Sequence, residues 1–301
     1  MKKTFLITLI MVVFSLPTYN FQANASPDIS ATNAVVLDMD TNAVLFEKES
    51  HVERNIASIT KIMTAIVALE HGELEDDVNI SRNAATQEGS SIYTKLGDTY
   101  SLKDLLYGLM LRSGNDAATA IAEHIGGSEK GFALLMNEKA NWIGMNDSSF
   151  QNPHGLDEDG HYSTAYDMAL LTSYAMNSND QFEKIFSSEK YLSNNIDYHW
   201  YNKNKMLMTN DYCTGGKTGF TKSAGRTLVT TAEKDGKRLV VVTLNASDDW
   251  NDHRELYEYG FEEIDNRSDF MNEEDIVDFS SLFESYFDVL NQLHGVKEWS
   301  T

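Results

Sequence analysis

The chain has 301 residues, 46 of them acidic and 24 basic, for a formal net charge of −22 at neutral pH. That length buries a sizeable core, as one large domain or two modest ones. The acidity excludes nucleic acid as a partner, because phosphate binding rests on clustered Lys and Arg, and it argues equally against charge attraction to anionic lipid. A single cysteine, Cys213, leaves no intrachain disulfide, so stability has to come from the core.

The first 25 residues have the pattern of an export signal. Lys2 and Lys3 precede an apolar run over residues 5–16, and Ala23-Asn24-Ala25 offers a small-x-small cleavage site before Ser26. The run is short against the roughly 20 apolar residues of a membrane span. No Cys follows the site, which speaks against a lipid-modified N-terminus. The expectation is an exported protein, acting outside the cytoplasm.

Residues 33–38 and 43–46 are short β-type runs around the turn Asp40-Thr41-Asn42, which predicts a hairpin. Residues 58–71 read as a helix that is apolar nearly all round and stops at Gly72, as expected of a helix in mid-core. Residues 102–112 carry Leu102, Leu105, Leu106, Leu109 and Met110 at helical spacing. Ser113-Gly114-Asn115 breaks that run, and a second helix over 116–125 ends at Gly126-Gly127. Residues 131–143 and 164–176 also read as helices, with an irregular loop over 152–160 between them.

The chain then returns to β pattern. Residues 215–219 precede a strand over 226–232, an Asp235-Gly236 turn, and the run 238–244, apolar enough for a sheet centre. Residues 253–261 suggest a closing helix. Hairpin, helical block, hairpin and helix, in that order, fit a mixed α/β fold of the α+β kind. Its antiparallel sheet is formed by both ends of one domain, with a mainly helical subdomain against it. From Asp269 onward, eight acidic residues and one lysine accompany apolar residues at helical spacing. This acidic amphipathic tail fits docking on the body or on another protein better than membrane contact, which favours a basic face.

Three short motifs carry chemistry. Ser58 and Lys61 stand three residues apart at a helix start, on one face and within reach of each other. The helix N-terminus favours a developing anion at the serine, and a lysine whose pKa is lowered can take the serine's proton. Alone, the pair reads as well as an N-cap and a solvated charge. Ser113 can relay a proton, and Asn115 offers an amide to hold a substrate or to orient Lys61. Lys217 and Thr218 suit a carboxylate, and Gly219 on an edge strand admits a close backbone approach.

With those motifs in that order, the chain resembles the penicillin-recognising serine enzymes, and its middle motif resembles the low-molecular-mass penicillin-binding proteins, the serine-type D-alanyl-D-alanine carboxypeptidases. Ala57–Ala65, Gly89-Ser90-Ser91, Ser113–Ala118, Asn152–Asp157 and Ser163–Ala169 support the likeness, which covers roughly residues 30–262. The resemblance implies a β-lactamase/DD-peptidase-like fold, with a signal over 1–25, a catalytic domain over 26–266 and the tail over 267–301. It implies that Ser58 is acylated by the penultimate D-alanine of a peptidoglycan stem peptide, with Lys61 as base and Ser113 as proton shuttle. Lys217 and Thr218 would hold the terminal carboxylate. The backbone N–H groups of Ser58 and Phe220 would form the oxyanion hole. β-Lactams would acylate the same serine, and no cofactor or metal is needed. The residues after 266 are too few for the second, all-β domain of the best-known members, which puts membrane anchoring in doubt.

The nearest rival is a β-lactamase. The class A kind pairs a glutamate with an asparagine four residues on, and Glu123, Glu129, Glu138, Glu158, Glu183 and Glu189 all lack that asparagine. A DD-transpeptidase differs only in the acceptor that meets the acyl-enzyme, which no residue here decides. A non-catalytic peptidoglycan-binding protein of the same fold would not need Ser58 and Lys61 together. The eight histidines show no His-Glu-x-x-His spacing. His154 reads as structural support in a loop bordering the cleft, Cys213 as a small apolar filler, and Arg254 as a surface helix residue rather than a second carboxylate ligand.

Overall fold

The computed structural model describes residues 26–271. The export-signal reading, and the tail reading beyond residue 271, fall outside them. β1 (Asn33–Asp38) and β2 (Val44–Lys48) form the hairpin expected around Asp40. A 3-10 turn at Ala57–Thr60 leads into α1 (Lys61–His71). β3 (Asp77–Asn79), α2 (Arg82–Ala85) and β4 (Thr99–Ser101) follow. Next comes α3 (Leu102–Tyr107), prolonged by a π-helical turn at Gly108–Arg112. α4 (Asn115–Gly126), α5 (Glu129–Ile143), α6 (Ala165–Ser178) and α7 (Asp180–Phe186) complete the helical block. β5 (Lys190–Leu192) pairs with β6 (His199–Tyr201), and α8 (Met206–Thr209) precedes the long strands β7 (Cys213–Thr221), β8 (Gly225–Lys234) and β9 (Lys237–Ala246). α9 (Asp249–Met271) closes the described chain and runs without a break through the boundary read at 266/267.

The main sheet has the order β2-β1-β9-β8-β7, antiparallel at every pairing. The N-terminal hairpin therefore docks on the last strand, as the element order predicts. β9 is central because its side chains are apolar on both faces. Val240, Val242 and Leu244 join Val35 and Leu37 in the core shared with the helical block. Leu239 and Val241 join Ala34 and Val36 under Leu256, Tyr257 and Phe261 of α9. The strand period of two thus divides one sheet between two cores, and each such apolar side chain contributes about 1.5–3 kcal/mol on burial.

α1 crosses the larger core, with every residue from Lys61 to Ala68 buried. It ends at Gly72 as expected, but not through a left-handed cap, since that residue is extended (φ −131°, ψ 163°). A Cβ there would press on the terminal methyls of Ile125 and Leu102, which would have to shift to admit it. The hairpins β3–β4 and β5–β6 and the short helices α2, α7 and α8 have no counterpart in the sequence pattern. Val78, Tyr100 and Trp200 are the only buried residues in three of those short strands, too few to set a period.

Candidate active site

Three chain segments converge on Lys61. The 3-10 turn puts Ser58 one turn ahead of it, and Lys61 Nζ donates to Ser58 Oγ at 3.1 Å. Ser58 makes no side-chain cap, so the capping reading falls away. Lys61 Nζ also donates to Asn115 Oδ1 at 2.7 Å and to the His154 carbonyl at 2.5 Å. Asn115 donates from Nδ2 to the Glu88 carbonyl at 2.6 Å, so its oxygen orients Lys61 while the second N–H of the amide remains for a substrate. Lys61 is fully buried, and three neutral acceptors offer no countercharge. Burial first, then the nearby Lys217 and Lys203, hold its ammonium well below the usual lysine range.

Lys217 approaches from β7, the edge strand, where the Lys217-Thr218-Gly219 motif lies within the strand. Its Nζ donates to Ser113 Oγ at 3.0 Å and to the Thr218 carbonyl at 2.7 Å. It is buried, and burial with Lys203 pushes its pKa down to about 7. Thr218 is half-buried, and its hydroxyl makes no hydrogen bond among the described residues. Gly219 faces the 3-10 turn, where a Cβ would lie 2.9 Å from the Ser58 nitrogen and 3.2 Å from that of Ile59. The glycine is thus needed for the protein's own backbone, beyond any approach by substrate. Phe220, the next residue, is 67% exposed and leaves the strand edge open there.

The geometry is held under backbone strain. Ala57 and Ser113 both occupy the left-handed region, at φ 51° and 63°. Non-glycine residues there cost about 1–3 kcal/mol each and persist only where surroundings over-determine them. Gly155, at φ +85°, is one such surrounding, because a Cβ on it would collide with the Ala57 carbonyl oxygen. Asn152 Oδ1 accepts from the Gly155 N–H at 2.8 Å, and Thr64 Oγ1 donates to the Pro153 carbonyl at 2.6 Å. These bonds fix the loop that presents the His154 carbonyl. Gly155→Ala is therefore expected to displace that carbonyl, costing about 2 kcal/mol or more in unfolding free energy and a larger factor in activity. Denaturant titration beside a turnover assay checks this, and an alanine variant with unchanged midpoint and rate contradicts it.

Some supporting groups escape the sequence motifs. Asp116 accepts from Ser91 Oγ at 2.6 Å, from the Ile92 N–H at 3.1 Å and from the Thr94 N–H at 3.1 Å, pinning the 90–94 turn beside Asn115. Lys203 Nζ donates to Ser90 Oγ at 3.0 Å and sets a third positive charge near the two buried lysines. Asp116 follows the Ser-Gly-Asn motif directly, a signal that could have found it. Lys203, in an ordinary Asn-Lys-Asn-Lys stretch, gives none. The His154 ring accepts from the Leu156 N–H at 3.2 Å and is neutral, with its pKa lowered to about 3 by burial and Lys61. Its structural-support reading holds for the ring, while its carbonyl reaches Lys61. Cys213 opens β7, and burial pushes its thiol up, away from nucleophilic character. Arg254 is an exposed α9 residue bonded to Asn251. Among the described residues no group of three or more His, Cys, Asp or Glu could hold a metal.

Residues 20–248 match the family model described as D-alanyl-D-alanine carboxypeptidase, peptidase S11. The chain belongs to that family. It is 38% identical over 224 residues to the D-alanyl-D-alanine carboxypeptidase DacF of Bacillus subtilis, covering 72% of this chain and 58% of the relative. Against DacC of Escherichia coli the match spans 63% of the relative's length, so the chain covers about three fifths of such curated relatives. A solved D-alanyl-D-alanine carboxypeptidase from Mycobacterium tuberculosis superposes with a TM-score of 0.76 at 31% identity, over 80% of this chain and 94% of that one. Penicillin-binding protein D2 from Listeria monocytogenes, solved with ampicillin bound, gives 0.72 at 28% identity, over 79% of this chain and all of the other. The family's fold agrees with the antiparallel sheet and helical block described above.

Proposed function

We propose that this peptidase S11 member is an exported serine DD-carboxypeptidase that removes the terminal D-alanine from peptidoglycan stem peptides through a Ser58 acyl-enzyme. The observation that carries this is the buried Lys61 amine, depressed in pKa and 3.1 Å from Ser58 Oγ. In its neutral form Lys61 takes the Ser58 proton as Oγ attacks the carbonyl carbon between the two D-alanines. The oxyanion is taken by the N–H groups of Ser58 and Phe220, where loss of one donor typically costs about 3 kcal/mol. Ser113 gives its proton to the leaving amine and is reprotonated from Lys61, which returns to its neutral form, while Lys217, hydrogen-bonded to Ser113, keeps its charge. The free Thr218 hydroxyl and the Lys217 charge suit the terminal carboxylate. Water then attacks the ester, Lys61 again accepting the proton, and the shortened peptide leaves. An acceptor amine in place of water would make the same ester a transpeptidation intermediate. A peptidoglycan substrate calls for a site of action on the cell-wall side of the membrane.

Product analysis with a pentapeptide ending in D-Ala-D-Ala tests the reading. One equivalent of D-alanine and a tetrapeptide support it, and an intact peptide contradicts it. Lys61 Nζ is surrounded by the Ser58 hydroxyl, the Asn115 amide oxygen and the His154 carbonyl, with no carboxylate among these acceptors to activate a deacylating water. Benzylpenicillin is therefore expected to give one burst of acylation and a persistent adduct. Rapid multiple turnover, followed by absorbance, would mark a β-lactamase instead.

A further inference from the structure

A cavity of about 250 Å³ lies beside the candidate active site, between the 90–94 turn, the end of the π-helical turn and the β5–β6 hairpin. Ser91, Tyr93, Arg112, Tyr198, Trp200 and Tyr201 line it. It is smaller than the about 300–1,000 Å³ of pockets that enclose whole ligands, and suits one side group of a larger substrate.

Its chemistry is one-sided. Arg112 is half-buried and donates from Nη1 to the Tyr201 carbonyl at 3.2 Å, and no carboxylate lies in ion-pair range of it among the described residues. In a chain of net charge −22, an arginine without an acidic partner beside a cleft is conspicuous. Trp200 is 1% exposed, and its Nε1–H is the one buried side-chain polar atom among the described residues that meets no hydrogen-bond partner. Buried donors are ordinarily satisfied, so this sealed indole N–H leaves the wall behind the cavity short of one polar partner. Tyr93 and Tyr198 add exposed phenols, and Tyr93 is held in the left-handed region at φ 66°. A strained aromatic at a cavity mouth matches the way strain gathers at ligand clamps.

The cavity is built on the same turns as the candidate catalytic groups. Arg112 immediately precedes Ser113, and Asp116, next to Asn115, receives Ser91 Oγ and the Ile92 N–H. These shared turns put the cavity next to Ser113 and Asn115, so a substrate extending from Ser58 along that side would meet it. We infer that the Arg112–Trp200 cavity is an acyl-donor subsite that binds a free carboxylate on the residue preceding the D-Ala-D-Ala unit. Arg112 supplies the charge, the exposed phenols supply donors, and the aromatic rings supply the walls. This inference deepens the carboxypeptidase reading and rests on it for the identity of the bound peptide.

Two acetylated tripeptides test it, one with Glu and one with Gln before D-Ala-D-Ala, which differ in that carboxylate alone. Calorimetry on the Ser58→Ala chain reads binding without turnover, and D-alanine release by the unmodified chain reads activity. The Glu peptide is expected to bind about tenfold more tightly than the Gln peptide, as a charge-assisted pair implies. Arg112→Gln is expected to bring the two affinities together, and Arg112→Lys to restore part of the preference. Equal binding of the two peptides, or a preference that survives Arg112→Gln, overturns the subsite whether or not D-alanine is released. A carboxylate preference without D-alanine release would instead uphold the subsite as a peptide-binding site and sink the carboxypeptidase reading.

Discussion

Ser58→Ala is expected to lower D-alanine release by at least about ten-thousandfold, the scale on which removing a nucleophile acts. The hydroxyl it deletes touches Lys61 and makes no cap, so stability should change by less than about 0.5 kcal/mol. The two readouts together separate a chemical role from a structural one. A variant that folds with an unchanged denaturation midpoint yet retains, say, a tenth of the activity would remove Ser58 from the mechanism. Residual binding of peptide to the variant is expected, because the strand edge at Phe220 and the Thr218 hydroxyl remain.

The second large effect concerns Lys61. Lys61→Arg keeps a cation but cannot serve as a base, since guanidinium stays protonated throughout the working pH range. It is expected to be as inactive as Lys61→Ala, with both down about a thousandfold or more. Partial activity of the arginine variant alone would make Lys61 an electrostatic element and not a base. The pH profile supplies the sign. The competent free enzyme has Lys61 neutral and Lys217 charged, so kcat/KM rises with pH as Lys61 loses its proton and falls as Lys217 loses its own. The falling limb should lie near pH 7, where burial has brought Lys217. In kcat that limb should move to higher pH, because a bound carboxylate beside Lys217 favours its charged form. The limbs belong to the coupled pair of lysines rather than to either alone. A profile with no descending limb would contradict the role of Lys217.

Much of this site is legible without its geometry. Ser58, Lys61, Ser113, Asn115, Lys217 and Thr218 come together because helix spacing, the break after Arg112 and an edge strand are all local patterns. The central place of β9 follows from an unbroken apolar run, and α1's burial from a helix without a polar face. What stays illegible is of a different kind. The third acceptor of Lys61 is a backbone carbonyl, and any residue at His154 would carry one. Lys203 acts through a charge delivered from a loop, with no motif around it. The left-handed backbone at Ala57 and Ser113 is imposed by tertiary contacts such as the one at Gly155, against the preference of both residues. Gly219 stands out in the sequence for substrate access, and its missing Cβ also makes room for the Thr227 hydroxyl and the Ser58 backbone.

The central claim is that Ser58 is the acylated group. Peptide mapping by mass spectrometry, after brief exposure of the whole chain to benzylpenicillin, tests it most directly. A single penicilloyl addition on the peptide containing Ser58, absent from Ser58→Ala, is the predicted result. An adduct on another residue such as Cys213, or none while D-alanine is still released, would contradict it.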